Sequence, residues 1–220
     1  MPPILVEACV ETLAAALAAA EGGAGRVEVC ISLEVGGVTP PDELIRESVR
    51  RLSIPVCVLV RPAPGAFTLS RPELGLVVEQ VRRAADLGAA GVVAGALTDD
   101  GAVDRVAVEA ILSAAGPLPV TFHRAFDQVP DQASALEELI GLGIRRVLTS
   151  GGARTAVEGA SRLRALVDHA AGRIGILAGG SVRAHNAAAL VRSTGVAEIH
   201  SRTPADADGV RALVLAANGA

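Results

Sequence analysis

Short runs of β-branched and other apolar residues alternate along the whole chain with longer stretches rich in Ala, Leu, Arg and Glu. The short runs predict buried strands, and the longer mixed stretches predict helices. Eight strands are predicted: Leu5–Cys9, Arg26–Cys30, Val56–Pro62, Gly91–Leu97, Pro119–Phe126, Arg146–Ser150, Arg173–Ala178 and Glu198–Ser201. Successive strands begin about 28 residues apart on average, which is the length of one strand, one helix and two short loops. The pattern therefore predicts a repeated βα unit.

Turn and capping residues agree with this division of the chain. Pro40-Pro41-Asp42 predicts the start of one helix and Asp131 the cap of another, and four helices are predicted to close at Gly22, Gly88, Gly143 and Gly195. No linker rich in Pro, Ser or Gly interrupts the alternation, so a single domain is expected over residues 1–220.

Eight βα units in 220 residues predict an α/β fold, a compact (β/α)₈ TIM-like barrel. A doubly wound open sheet uses the same units and is the alternative. The count of eight, and the absence of a GxGxxG motif after the first strand, favour the barrel.

The composition excludes several classes of chemistry. All 20 basic residues are Arg, so the chain cannot form a Schiff base, hold PLP through lysine or build the lysine-containing phosphate loop of P-loop NTPases. Trp and Tyr are absent and there are three Phe, so stacking platforms are nearly lacking and no nucleotide cofactor is expected. The net charge of −4 provides no electrostatic reason to expect nucleic acid or an anionic membrane as partner.

The cysteines and the amino-terminal sequence indicate a reducing, cytoplasmic setting. Cys9, Cys30 and Cys57 are an odd number without a CxxC pair, and no signal-peptide pattern is present. The apolar stretch 12–20 is too short to span a bilayer and predicts a buried helix. No membrane association is expected.

In (β/α)₈ barrels the active site lies at the carboxyl ends of the strands. Six of the eight predicted strands end in ionisable or hydroxyl side chains: Glu7, Cys9, Glu28, Cys30, Arg61, His123, Arg124, Asp127, Thr149, Ser150, His200 and Ser201. Burying charges at this density is costly unless they are paired or used, so a binding or catalytic site is expected there. The alternative is an internal salt-bridge network that closes the barrel mouth.

Glu7 and Glu28 lie on neighbouring predicted strands and are expected to approach each other inside the barrel, with Arg61 and Arg124 as their counter-charges. For each carboxylate, structural pairing with Arg is as plausible as acid–base work. His123 is the best general acid–base candidate because histidine titrates near neutral pH, with a buried structural histidine as the alternative. His200 is a weaker candidate.

Glycine pairs follow the sixth and seventh predicted strands, in Ser150-Gly-Gly152 and Ala178-Gly-Gly-Ser181, and the second pair leads into a helix predicted near Val182. Such turns present backbone amides to an anion, and barrels often bind phosphate with their last two βα loops. A small phosphorylated or carboxylated ligand is therefore expected, although Gly-Gly turns also occur without ligands.

Cys9 and Cys30 are predicted on one face of neighbouring strands, where two soft sulfur ligands would suit copper(I). The chain has neither a CxxC nor an MxxM metal-carrier motif. Two small buried core residues are the alternative interpretation.

Eight segments, in order over nearly the whole chain, resemble the copper homeostasis protein CutC family: Val6-Glu-Ala-Cys9, Arg26-Val-Glu-Val-Cys30, Gly36-Gly-Val-Thr-Pro40, Val60-Arg-Pro62, Thr121-Phe-His-Arg-Ala-Phe-Asp127, Leu148-Thr-Ser-Gly151, Ala178-Gly-Gly180 and Glu198-Ile-His-Ser201. The resemblance implies a cytoplasmic, usually oligomeric TIM-like barrel with a role in copper handling. The copper ligands suggested for the family match Cys9 and Cys30. After Ser201 the family commonly has a longer polar segment than the Arg202-Thr-Pro-Ala found here, so the role of that segment is left open.

Charged residues of the family motifs match Glu7, Arg26, Glu28, Arg61, His123, Arg124 and Asp127. Two functions are therefore expected as alternatives. The first is a copper homeostasis protein that binds copper(I) through Cys9 and Cys30. The second is an enzyme that acts on a small anionic metabolite without a Schiff base.

The enzyme would have the catalytic residues His123, Glu7, Glu28 and Asp127, and the anion-binding residues Arg61, Arg124, Arg26, Ser150, Gly179, Gly180, His200 and Ser201. The partner is accordingly a copper ion or a small anionic molecule, with no nucleic acid and no membrane. A homo-oligomer is expected from the apolar predicted helices.

Overall fold

Eight parallel strands, paired in chain order, close into a barrel in which the last strand pairs with the first. The structure, a computed structural model, describes residues 3–202 and 206–219. The strands are β1 Leu5–Val10, β2 Arg26–Val29, β3 Val56–Leu59, β4 Gly91–Ala94, β5 Val120–Phe122, β6 Arg146–Thr149, β7 Gly175–Ala178 and β8 Glu198–Arg202. The (β/α)₈ prediction is confirmed, and the open sheet is excluded because the barrel is closed.

A helix follows every strand. The helices are α1 Leu13–Glu21, α2 Asp42–Arg51, α3 Arg71–Asp86, α4 Arg105–Ala115, α5 Gln132–Leu142, α6 Ala160–Ala170, α7 Ala184–Thr194 and α8 Ala207–Asn218, with short 3₁₀ helices at Leu33–Val35 and Arg124–Gln128. Asp131 caps α5 as predicted, accepting hydrogen bonds from the backbone amides of Ala133 and Ser134. In the part of the chain that the structure describes, no helix is both long and apolar enough to cross a bilayer.

The fifth strand is shorter than predicted. It ends at Phe122, and the chain turns into the 3₁₀ helix because the His123 ring accepts a hydrogen bond from the amide of Ala125. His123 and Asp127 therefore do not share a strand face. The third and fourth strands also end earlier than predicted, and the seventh begins later.

Side chains alternate between the two faces of each strand, which separates an outer apolar layer from a polar interior. Val6, Ala8 and Val10 of β1 face outward into the large core shared with the helices. Glu7 and Cys9 face the barrel interior. Strand pairing places Glu7 beside His200 of β8 and Cys9 beside Glu28 of β2. The barrel therefore brings charged groups together in its interior instead of closing it with apolar side chains alone.

Candidate active site

A cavity of about 640 Å³ lies at the carboxyl end of the barrel strands. Its polar and charged lining consists of Cys9, Glu28, Arg61, His123, Arg124, Asp127, Gln128, Ser181, Arg183, His200 and Arg202. Both the volume and the convergence of polar groups are typical of small-molecule sites.

Glu7 lies beneath this cavity as a fully paired anion. Its carboxylate accepts a hydrogen bond from Arg26 Nε and contacts His200 Nδ1 at 2.7 Å. Arg26 also binds Glu198 at 2.8 Å, and Arg146 binds the same Glu198 oxygen at 2.8 Å. Burial alone would raise the pKa of Glu7, but the hydrogen bond from His200 and the charge of Arg26 lower it to about 2. Glu7 is therefore a permanent anion that holds His200 in place.

The expectation that Arg61 and Arg124 neutralise Glu7 and Glu28 is wrong. Arg61 donates to the backbone carbonyls of residues 35, 37 and 65 and lies over the Phe67 ring, and Arg124 binds Asp127 at 2.8 Å. Both arginines follow their strands, beyond the last paired residue, so their guanidinium groups lie at the mouth of the barrel and not in its interior.

Glu28 is the least satisfied charged group of the site. Its Oε1 is approached by the Cys9 thiol at 3.7 Å, and its Oε2 is buried with no hydrogen-bond partner among residues 3–202 and 206–219. Burial raises the pKa of Glu28 to about 7; the charge of Glu7 also raises it and that of His200 opposes the rise. Glu28 can therefore gain and lose a proton near neutral pH.

His200 lies beside Glu28 and Glu7: one ring nitrogen of His200 and one oxygen from each carboxylate lie within 4.8 Å of one another. Burial alone would lower the pKa of His200, but the charge of Glu28 and the hydrogen bond to Glu7 outweigh this effect and raise it. Since Nδ1 contacts Glu7, Nε2 is the nitrogen left for the cavity that the ring lines. His200 thus faces the cavity while a buried carboxylate holds its Nδ1.

His123 is a neutral hydrogen-bond donor. Its Nδ1 accepts from the amide of Ala125 at 3.3 Å, so the neutral ring carries its proton on Nε2. Burial, followed by the charge of Arg61, lowers the pKa of His123 to about 4. The ring centroid lies 4.8 Å from that of Phe67 and 5.9 Å from that of Phe122. His123 was the sequence candidate for acid–base work because histidine ordinarily titrates near neutral pH. In the structure the side chain with a pKa near 7 is Glu28 instead.

Asp127 organises the mouth of the cavity. Its Oδ1 accepts from the Thr149 hydroxyl at 2.6 Å and from the amides of Ser150 and Gly152 at 2.9 and 3.1 Å. Its Oδ2 accepts from Arg124 and from the Ser150 hydroxyl. With both oxygens engaged, Asp127 is a positioning residue that joins the loop after β6 to Arg124.

Four predicted anion-binding residues do not line the cavity: Arg26, Ser150, Gly179 and Ser201. Ser201 is buried and donates to the carbonyl of Val182 at 2.7 Å. A side chain at Gly179 would bring its Cβ within 2.5 Å of Leu148, so this glycine permits close packing of β7. The predicted anion residues that do line the cavity are Arg61, Arg124, Gly180 and His200.

Arg183 and Arg202 line the cavity and are absent from the sequence prediction. Arg183 donates through Nη1 to the carbonyl of Val182 at 2.7 Å, and Arg202 lies 3.7 Å from Glu11. Arg183 follows β7 and Arg202 is the last residue of β8. Both therefore lie at the carboxyl ends of strands, where barrel sites form, so their position in the sequence was a usable signal. Residues 203–205, which belong to the short segment after Ser201, lie outside the described residues.

Two thiols and one carboxylate, of Cys9, Cys30 and Glu28, are close enough together to hold a metal ion, and Cys9 and Glu28 line the cavity. The Cys9 and Cys30 sulfur atoms are 3.5 Å apart, and these atoms and a Glu28 oxygen all lie within 4.8 Å of one another. The hydrogen bond between the thiols, burial and the charge of Glu28 raise the pKa of Cys9 well above its usual range. Cys57 packs in the same apolar cluster but is not part of this group.

The fold and the site define a (β/α)₈-barrel protein with a charged cavity at the carboxyl ends of its strands. The chain belongs to the CutC family, whose family model matches residues 4–204. This confirms the resemblance found in the sequence motifs.

Named relatives agree with this membership. The chain is 44% identical over 195 residues to a family protein CutC of Pasteurella multocida, covering 89% of this chain and 80% of the relative. It is 41% identical to the mouse copper homeostasis protein cutC homolog, covering 89% and 72% of the two chains. A crystal structure of the copper homeostasis protein CutC from Streptococcus agalactiae superposes with a TM-score of 0.87 at 35% identity, covering 90% of this chain and 98% of that chain.

Proposed function

We propose that this protein is an enzyme that uses acid–base chemistry on a small anionic molecule bound at the carboxyl end of the barrel. The main observation behind this proposal is that the buried Oε2 of Glu28 has no hydrogen-bond partner among the described residues. Glu28 and His200 line the same cavity, together with several arginines. A buried carboxylate without a partner is costly. Its retention indicates that a ligand or a transferred proton uses it.

A purely structural role does not account for Glu28. The internal salt-bridge network exists, but it joins Glu7, Arg26, Arg146 and Glu198 and leaves Glu28 out. The same network holds His200 through Glu7. The network therefore supports the site and does not replace it.

The arginines of the lining suit an anion. A guanidinium group carries five N–H donors in a planar fork that matches carboxylate and phosphate oxygens. In the described part of the chain, Arg183 donates only through Nη1, so its remaining donors are available. Because the sequence contains no lysine, the proposed chemistry does not include a Schiff base.

Inorganic phosphate is a suitable first probe of this site. We expect calorimetric titration to detect phosphate binding that weakens about tenfold or more in Arg183→Ala, the effect of losing a charged hydrogen-bond set. Arg192→Ala is the matched control, because Arg192 is an exposed residue of α7, the helix that begins directly after Arg183, and lies outside the cavity lining. Equal affinity in the two variants, or no phosphate binding by the wild type, would contradict the proposal.

The thiol pair supports a second candidate function, copper(I) binding by Cys9 and Cys30, in keeping with the copper homeostasis names of relatives. The supporting observation is the 3.5 Å distance between the two sulfur atoms. Thiolates are the ligands that copper(I) prefers. Copper(I) would have to displace the proton of the Cys9 thiol, whose pKa is raised by the hydrogen bond to Cys30, by burial and by the charge of Glu28.

Anaerobic titration with copper(I) against a competing chelator tests this candidate. The double variant Cys9→Ser and Cys30→Ser should lose tight binding, and Cys57→Ser should keep it. Cys57 is a matched control because it is equally buried, in the same cluster, but outside the three-residue group. Retained affinity in the double variant would remove the two cysteines from any copper role.

A cytoplasmic location and a homo-oligomer belong to the same proposal. All three cysteines carry free thiols, which suits a reducing compartment. Val106 of α4 and Leu215 of α8 are exposed apolar side chains on the outer helices. Sedimentation at several protein concentrations tests the oligomer, and a monomer throughout would contradict it.

A further inference from the structure

We infer that the reaction is a proton transfer at the carbon next to a carbonyl group, in a short α-hydroxycarbonyl compound that carries a phosphate or carboxylate at its far end. This inference rests on the proposed enzyme function and names its reaction and substrate class. Three observations support it: the reactive side chains that line the cavity, the nucleophiles that the cavity lacks, and the position of Glu28 within a strand while the arginines lie at the strand ends.

Among the described residues, the cavity lacks an activated thiol, hydroxyl or lysine nucleophile. Cys9 is the thiol in its lining, and its neighbours keep that thiol protonated. Ser181 has a hydroxyl there, but no carboxylate or ring nitrogen within the described chain forms a hydrogen bond with it, so it has no base to activate it. The sequence contains no lysine. Catalysis through an activated thiol, hydroxyl or lysine amine therefore has no suitable residue among the described residues, and Glu28, His123 and His200 are side chains of the lining that can transfer protons.

One group is placed to act as a base. Glu28 has an oxygen that is free of hydrogen bonds in the described part of the protein, and its side chain lines the cavity. The Glu28 side chain is also almost fully buried, so a substrate that reaches it is shielded from bulk water.

Two donors face the same cavity as this base. His123 has its proton on Nε2, because Nδ1 accepts from a backbone amide, and His200 offers Nε2 because Nδ1 is held by Glu7. A carboxylate base combined with a neutral imidazole donor is an arrangement that enolises α-hydroxycarbonyl compounds in other barrels. The donors would stabilise the oxygen on which negative charge develops.

His123 is held rigidly for this role. It packs against Phe67 and Phe122, and Gly95 leaves the space that the ring occupies. A Cβ at position 95 would lie 3.0 Å from His123 Nδ1 and 2.9 Å from Phe122. A donor fixed in advance stabilises developing charge without the cost of reorganisation.

The far end of the substrate is expected at the mouth. Arg124 and Arg183 follow the ends of β5 and β7, and Arg202 is the last residue of β8, whereas Glu28 lies one residue before the end of β2. Phe67 is the aromatic side chain of the lining other than histidine, and Arg61 lies over its ring and occupies one face that a nucleobase could stack on. A short substrate with its carbonyl group near Glu28 and its anionic group near the arginines fits these positions.

The proposed step is balanced without another reactant. Glu28 takes the proton from the carbon that bears the hydroxyl group, the C–H electron pair forms a C=C bond, and the carbonyl oxygen takes the negative charge beside the histidine donors. His123 donates its Nε2 proton to that oxygen and recovers a proton from the original hydroxyl group. Return of the proton from Glu28 to the neighbouring carbon then yields the isomeric α-hydroxycarbonyl compound. No oxidant, reductant or covalent enzyme intermediate is involved.

Phosphoglycolohydroxamate, a phosphate-bearing mimic of an enediolate, is the probe for this inference, with inorganic phosphate for comparison. We expect the hydroxamate to bind the wild type at least about 100-fold more tightly than phosphate, as transition-state mimics do. Glu28→Gln should abolish most of this difference and change phosphate affinity less than about twofold. Glu34→Gln, at an exposed carboxylate of the 3₁₀ helix before α2, is the control.

Proton exchange is the second readout. Dihydroxyacetone phosphate incubated with the wild type in D₂O should gain deuterium beside its carbonyl, measured by NMR, and should not do so with Glu28→Gln. Phosphate binding without hydroxamate preference or deuterium exchange would overturn this inference and leave the proposed anion-binding enzyme standing. Failure of both phosphate and hydroxamate to bind would overturn the proposed function itself.

Discussion

His200 Nδ1 lies 2.7 Å from a carboxylate oxygen of Glu7, so the ring that lines the cavity is anchored by an acid buried beneath it. Glu7 is in turn held by Arg26, which binds Glu198. Charge is thus balanced below the cavity, while Glu28 remains without an arginine partner among the described residues. The difference in pKa between the two carboxyl groups follows from this division: Glu7 is a fixed anion and Glu28 an exchangeable acid.

Glu28 should make folding stability depend on pH. Its pKa rises from the ordinary 4.5 to about 7 on folding, so the folded protein binds this proton more tightly than the unfolded chain. Its contribution to stability is full below pH 4.5 and decreases as the pH rises through 7, by up to about 3 kcal/mol. Glu28→Gln should therefore gain stability relative to wild type between pH 4.5 and 8.

Urea unfolding of both proteins at several pH values measures this gain. Glu34→Gln serves as the control, because Glu34 is exposed and its replacement should leave the pH dependence of wild type unchanged. Parallel stability curves for wild type and Glu28→Gln would show that Glu28 ionises normally.

Glu7→Gln should destabilise the protein and lower the pKa of His200. The substitution leaves the buried Arg26 charge partly uncompensated, which typically costs about 3–5 kcal/mol. It also removes the anionic acceptor that helps to raise the pKa of His200. Denaturant unfolding and NMR titration of the imidazole measure the two effects. Glu137→Gln, which breaks surface pairs of Arg173 and His169, should have a much smaller effect on stability.

Asp127→Asn should loosen the mouth of the cavity. The new amide group can donate but no longer accepts at one of its two positions, so bonds from Arg124 or from the loop after β6 must be lost. We expect a loss of about 1–3 kcal/mol in unfolding free energy and faster hydrogen exchange at the amides of Ser150 and Gly152. Asp168→Asn on the exposed face of α6 is the control. Unchanged amide exchange would contradict the positioning role of Asp127.

Gly95→Ala should disturb His123 through steric contact. The added Cβ would lie within 3.0 Å of both the His123 and Phe122 rings, and overpacking of this kind typically costs about 1–3 kcal/mol. Gly141→Ala is the matched control: this glycine lies in α5 with open space around its Cβ position, and its replacement should be neutral or stabilising. Equal stability of the two variants would show that the site tolerates movement of the ring.

The sequence alone determined the βα repeat, the number and order of the strands and the cap at Asp131, because these depend on residues close together in the chain. Strand periodicity also placed Cys9 and Cys30 on the side of the barrel where their sulfurs meet. The CutC family motifs were readable for the same reason.

Only the tertiary structure decided how the charges are paired. Arg26 meets Glu7 because the β1–β2 register places them side by side, and His200 reaches Glu7 from 193 positions away along the chain. The ionisation of Glu28 and His123 depends on burial and on the few groups that surround them in space. Both the pairing and the ionisation depend on the distances between side chains from segments far apart in the chain. The hydrophobic periodicity of a single strand gives no information about these distances.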